Sequence, residues 1–117
     1  KKNESYVLSE DVAAPNFYFK REHIQNRLDF FAIPNDNASA KAEKNLGEFL
    51  DAFEINFEKH TSTETITREL GIKNFPAFLV NNRVKFSGVH TAETIKSNFC
   101  KMNKVPECDI GLSKSLV

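Results

Sequence analysis

Cysteine is scarce in this chain. Only Cys100 and Cys108 occur, with no C-x-x-C pair and no cysteine–histidine group at zinc-ligand spacing. Two cysteines are too few for a disulfide-dense scaffold. The histidines His23, His60 and His90 are scattered along the sequence and are read as surface or partly buried side chains, with no metal site. Net charge is missing as well. Sixteen Lys and Arg balance sixteen Asp and Glu. That balance removes the basic footprint expected of a nucleic-acid or anionic-membrane binder, and also the acidic excess of a bulk calcium store. No apolar run reaches the length of a membrane-spanning helix. Tryptophan is absent while Phe occurs eleven times, so the core is expected to be built on Phe. No signal peptide is visible. The chain opens on Lys1-Lys2 and not on Met, as expected of a processed product or an excised domain, which leaves room for a removed signal or anchor.

What is present suits one domain. Hydrophobic residues make up 40% of 117 residues, enough for a core at this size and too little chain for a second domain. Residues 1–27 form an N-terminal segment joining the domain, with an apolar touch at Tyr6–Leu8, a first edge strand or a loose arm, and an aromatic run at Asn16–Lys20 that reads as helix or strand. Leu28–Ile33 reads as a buried strand ended by Pro34. Asn35–Ser39 is rich in capping residues, and the helix after it carries Ala42, Leu46, Phe49, Leu50 and Phe53 on one face. Ile55 and Phe57 alternate with polar neighbours as in a strand. Thr63 is placed to cap a short helix with Ile66 and Leu70, and Gly71 sits at its left-handed end. Ala77–Val80 and Arg83–Ser87 form a hairpin about Asn81-Asn82. Thr91 caps a last helix with Ile95, Phe99 and Met102 on one face. Residues 103–117 read as an irregular tail. The order β-α-β-α-β-β-α predicts an α/β domain: a central mixed sheet with helices on both faces.

Three stretches in that order resemble thioredoxin. Asp29-Phe30-Phe31-Ala32 is similar to the family's Asp-Phe-Trp-Ala strand. Leu70-Gly71-Ile72-Lys73-Asn74-Phe75-Pro76-Ala77-Phe78 is similar to the stretch that carries the family's cis-proline. Asn81-Asn82 and then Gly88 match its hairpin turn and following glycine. The resemblance covers residues 28–102 and implies a thioredoxin-like fold. It also implies a departure. Counting on without a gap from the strand puts Asn35, Asp36, Asn37 and Ala38 at the four positions of the Cys-Gly-Pro-Cys motif. Thiol–disulfide exchange needs an attacking thiolate and a resolving thiol, and Asn35 and Ala38 supply neither. Asp29 falls at the position of the family's buried acid. In the family, backbone before the cis-proline pairs with an extended partner peptide, a strand addition that needs no cysteine.

The implied function is therefore a redox-inactive interaction domain for a protein or peptide partner, with no cofactor. Its peptide face would comprise Asn35, Asp36, Asn37, Ala38, Phe75 and Pro76. The two cysteines admit a structural disulfide pinning the tail to the last helix, worth about 2.5 kcal/mol by loop closure and pointing to an extracytoplasmic, oxidising compartment. That disulfide is the leading reading; the alternative is two unpaired thiols of a cytosolic protein. Two glycosylation sequons also occur, Asn3-Glu4-Ser5 and Asn37-Ala38-Ser39, a pattern that arises by chance in an Asn-rich chain. Two rivals stand beside this reading: an atypical thiol–disulfide oxidoreductase using Cys100 and Cys108, and a purely structural domain.

Overall fold

The computed structural model describes residues 22–115. The expected apolar touches at 6–8 and 16–20 lie outside the described residues. Strand β1 (Arg27–Ala32) leads into helix α1 (Asn37–Ala52). Strand β2 (Asn56–Thr61), short helix α2 (Thr65–Glu69), strands β3 (Ala77–Val80) and β4 (Val84–Ser87) and helix α3 (Ala92–Cys100) follow. A 3-10 turn at Pro106–Asp109 completes the order. The four strands form one mixed sheet in the order β2-β1-β3-β4. β1 runs parallel to β2, with Arg27 opposite Asn56 and Ala32 opposite Thr61. It runs antiparallel to β3, with Leu28 opposite Val80 and Phe31 opposite Ala77. The protein is thus of the α/β class, with a mixed sheet between helices.

β1 lies inside the sheet, which is why Leu28 to Ala32 are buried without alternation. Leu28, Phe30 and Ala32 face α1 and α3, where they meet Ala42, Leu46, Phe49, Ile95 and Phe99. Phenylalanine rings carry this layer. Phe49 lies 4.4 Å from Phe53 and 5.4 Å from Phe99 between ring centroids, and Phe78 stacks on Phe86 at 4.7 Å. Each fully buried ring contributes about 1.5–3 kcal/mol through apolar burial. Phe31, Ala77 and Leu79 point to the opposite face and meet Leu70 and Ile72, next to α2.

The turns follow local chemistry. Asn81 and Asn82 both take left-handed φ, 55° and 60°, as a two-residue hairpin turn requires. Gly71, at φ 74°, ends the α2 segment. Thr91 caps α3 by accepting from the Thr94 N–H. Two expectations are corrected. Thr63 does not cap α2. Glu64 stands at that position, and the Thr63 hydroxyl lies 3.1 Å from that of Thr61. Ile33 is outside β1 and 39% exposed, because the chain leaves the sheet at Ala32 to turn through Pro34.

The tail is less irregular than its composition suggests. Cys100 and Cys108 are joined, with an S–S distance of 2.05 Å. Beyond the bridge, the Lys96 ammonium donates to the Ile110 carbonyl. The Glu93 carboxylate accepts from the Leu112 N–H, and Glu48 accepts from the Ser113 N–H. Among the described residues no helix is long and apolar enough to cross a membrane.

Candidate functional site

The loop after β1 is built by three residues in turn. Pro34 turns the chain out of the sheet, and Asn35 takes a left-handed φ of 60°, a conformation Asn adopts more readily than bulky or β-branched residues. Asp36 is the N-cap of α1, its carboxylate accepting from the Ser39 N–H at 2.9 Å. Ser39 closes the loop: its hydroxyl accepts from the Ile33 N–H at 3.0 Å. Asn35 and Asn37 are exposed and Ala38 is half-buried. None of these positions carries a thiol. A cleft at this end of the sheet is lined by Ile33, Asn35, Asp36, Asn37, Lys59 and Thr61, among others.

The second half of the expected face comes from the entry to β3. The Phe75–Pro76 bond is cis. Because Ala77 pairs with Phe31, Pro76 arrives at the end of the sheet where the 33–38 loop leaves it. Pro76 is buried, and its carbonyl accepts from the Gly88 N–H at 2.8 Å. Phe75 is half-buried against the α2 side of the sheet. The two halves flank β1 from opposite sides. The cleft opens toward β2, and its lining does not include Phe75 or Pro76.

Asp29 lies one turn of the pleat deeper and is fully buried. The Arg27 guanidinium donates to both of its oxygens, from Nε to Oδ2 at 3.0 Å and from Nη2 to Oδ1 at 2.8 Å. Arg27 Nη2 also reaches Glu58 at 2.7 Å. The hydrogen bond to Asp29 raises the guanidinium pKa further, outweighing the opposite effect of burial, with Glu58 adding to the rise. His60, which is only 7% exposed, places Nε2 2.9 Å from Asp29 and Nδ1 3.2 Å from Glu64. Its ring stacks on Phe31 at 4.9 Å. The Thr61 N–H donates to Glu64, which together with the His60 contact holds the Glu64 carboxyl below its usual range.

This network was not visible from sequence beyond Asp29 itself. The only available signal was the period of two that puts Arg27 with Asp29, and Glu58 with His60, on one face. Asp29, Glu58 and His60 come close enough together to hold a metal ion. The Arg27 guanidinium already bridges the two carboxylates, so a cation there would have to displace a fixed positive charge.

The cysteines lie at the other end of the sheet. Asn103, three residues past Cys100, accepts from the Asn26 N–H just before β1 and pairs its amide with Asn81. The disulfide is therefore beside the start of β1, whereas the 33–38 loop follows its end. A scan against protein-family models and a search of curated proteins both gave no match to this chain.

Proposed function

We propose that this chain is a redox-inactive, thioredoxin-like interaction domain of an oxidising, extracytoplasmic compartment, which binds an extended segment of a protein or peptide partner. The backbone of Phe75 carries the reading. Among the described residues its N–H and C=O have no hydrogen-bond partner, while the adjacent Pro76 carbonyl is tied to Gly88. An extended segment laid beside Phe75 would supply both missing partners by strand addition. The exposed Ile33 and the Phe75 ring offer apolar contact on either side.

The same arrangement argues against exchange chemistry. Asn35 and Ala38 cannot attack or resolve a disulfide. The only two cysteines are joined to each other and stand at the far end of the sheet from the α1 N-terminus. The disulfide also favours an oxidising compartment. Titration of isotope-labelled protein with an extended apolar peptide tests the reading. Amide shifts should appear at residues 33–38 and 74–77, with no reduction of insulin in a parallel assay. Shifts confined to other surfaces, or none with any peptide, would leave the structural-domain reading ahead. Insulin turnover lost in Cys100→Ser would establish the oxidoreductase.

A further inference from the structure

We infer that Asn37 is an acceptor for N-linked glycosylation and that the sugar is attached before the domain folds. Asn37-Ala38-Ser39 has the acceptor pattern, with Ala in the middle position. Three features of the fold suit a glycan there. Asn37 is exposed on the first turn of α1. Its side-chain amide holds no hydrogen bond among the described residues, because the neighbouring Asp36 caps the helix. The Cys100–Cys108 disulfide fits the oxidising compartment proposed above, on which this inference rests and in which such sugars are added. A glycan on Asn37 stands at the rim of the cleft that this residue helps to line, and it displaces no packed side chain.

The order of events comes from Ser39. The transferase recognises the hydroxyl of the third sequon residue together with the asparagine amide. In the folded protein Ser39 is 4% exposed. Its hydroxyl accepts from the Ile33 N–H, and its own N–H donates to Asp36. The recognition element is thus folded away while the acceptor atom stays outside. Transfer uses a lipid-pyrophosphate-linked oligosaccharide as donor. A bond forms between Asn37 Nδ2 and the anomeric carbon, and the carbon–oxygen bond to the pyrophosphate breaks. The electron pair leaves with the lipid pyrophosphate, and the amide gives up one proton to the transferase. The finished domain tolerates the product without being a substrate for the reaction.

The test uses the 117-residue chain carrying Asn3→Gln, which silences the other sequon. One sample is presented to microsomal oligosaccharyltransferase during translation. The other is presented after folding and oxidation, and a control acceptor peptide is included in both reactions. Glycopeptide mass spectrometry, and conversion of residue 37 to Asp on enzymatic sugar removal, read the site. The expected result is sugar on Asn37 in the nascent sample and at least tenfold less in the folded one. Asn37→Gln should abolish the signal, and the glycosylated chain should still form the Cys100–Cys108 bond. Two results would overturn the inference. One is an unmodified Asn37 in the nascent chain while the control peptide is modified. The other is equal modification of folded and nascent protein.

Discussion

The two faces of the sheet are held by different physics. The face under α1 and α3 is hydrocarbon. Leu28, Phe30, Phe78, Val80 and Phe86 meet Leu46, Phe49, Ile95 and Phe99 in one apolar cluster. The face toward α2 is mixed. Phe31, Leu70 and Leu79 share it with the fully buried Asp29, with Arg27 and with His60. Lys85, on the same face of β4, is also buried and engaged. Apolar packing tolerates exchange of one hydrocarbon for another of similar volume. A buried charge network tolerates little, since losing one member leaves the others desolvated and unpaired. Two neighbouring strand residues, Asp29 and Phe30, therefore respond to substitution for unrelated reasons.

The largest effect is expected on the hydrocarbon face. Phe49→Ala empties a site bounded by the rings of Phe53 and Phe99. It should cost about 4 kcal/mol in denaturant unfolding, while Phe49→Leu restores more than half of that. If Phe49→Ala cost under about 1 kcal/mol, the α1–α3 layer would not be the core of this fold.

Asp29→Ala comes next, at about 3 kcal/mol, because it strands Arg27 and His60. The comparison sharpens with Asp29→Leu. On the opposite face a leucine is a tolerated core residue. Here it should be as harmful as alanine, since it fills the space without answering the charges. A leucine variant as stable as the parent would show that the network does not hold this face together.

A smaller effect separates loop from sheet. Asp36→Ala removes the α1 cap and should lower stability by about 1 kcal/mol, read as a shift of the urea midpoint at constant slope. It should leave the disulfide and the near-ultraviolet signal of the Phe core in place.

The smallest change is one of pH dependence. The folded-state pKa of Glu64 is lowered, chiefly by the Thr61 N–H and then by His60. A carboxyl whose pKa falls on folding stabilises the fold above its unfolded pKa. That contribution is lost as pH falls through the folded pKa. Glu64→Gln should therefore unfold over a shallower acid limb than the parent, with urea midpoints compared between neutral pH and the carboxylate range. An unchanged acid limb would remove Glu64 from the network.

Much of the hydrocarbon face was legible in the chain. The spacing of Ala42, Leu46 and Phe49 on α1 and the unbroken run in β1 are local patterns, and neighbouring positions fix them. The left-handed turn at Asn81-Asn82 and the cap at Thr91 were legible for the same reason. The charged face was not. Arg27, Glu58, His60 and Glu64 belong to β1, β2 and the entry to α2, and no local period joins them. His60 in particular reads as an ordinary polar strand residue until β2 is laid parallel to β1. The register then sets it opposite Phe31 and beside Asp29.

The candidate site divides in the same way. The sequence by itself determined that no thiol stands at Asn35 or Ala38, that Asn37 opens an acceptor pattern, and that only one pair of cysteines is available to bond. These are matters of residue identity, and folding cannot alter them. Only the tertiary structure decided that Asn37 stays outside while Ser39 is folded in, that Cys100 and Cys108 lie at the opposite end of the sheet from the 33–38 loop, and that Phe75 reaches the loop's end of the sheet with no backbone partner among the described residues. Each of these depends on which strand lies beside which and in what register. Hydrogen bonds and apolar contacts between distant parts of the chain set that register, and it is written in no single stretch of sequence.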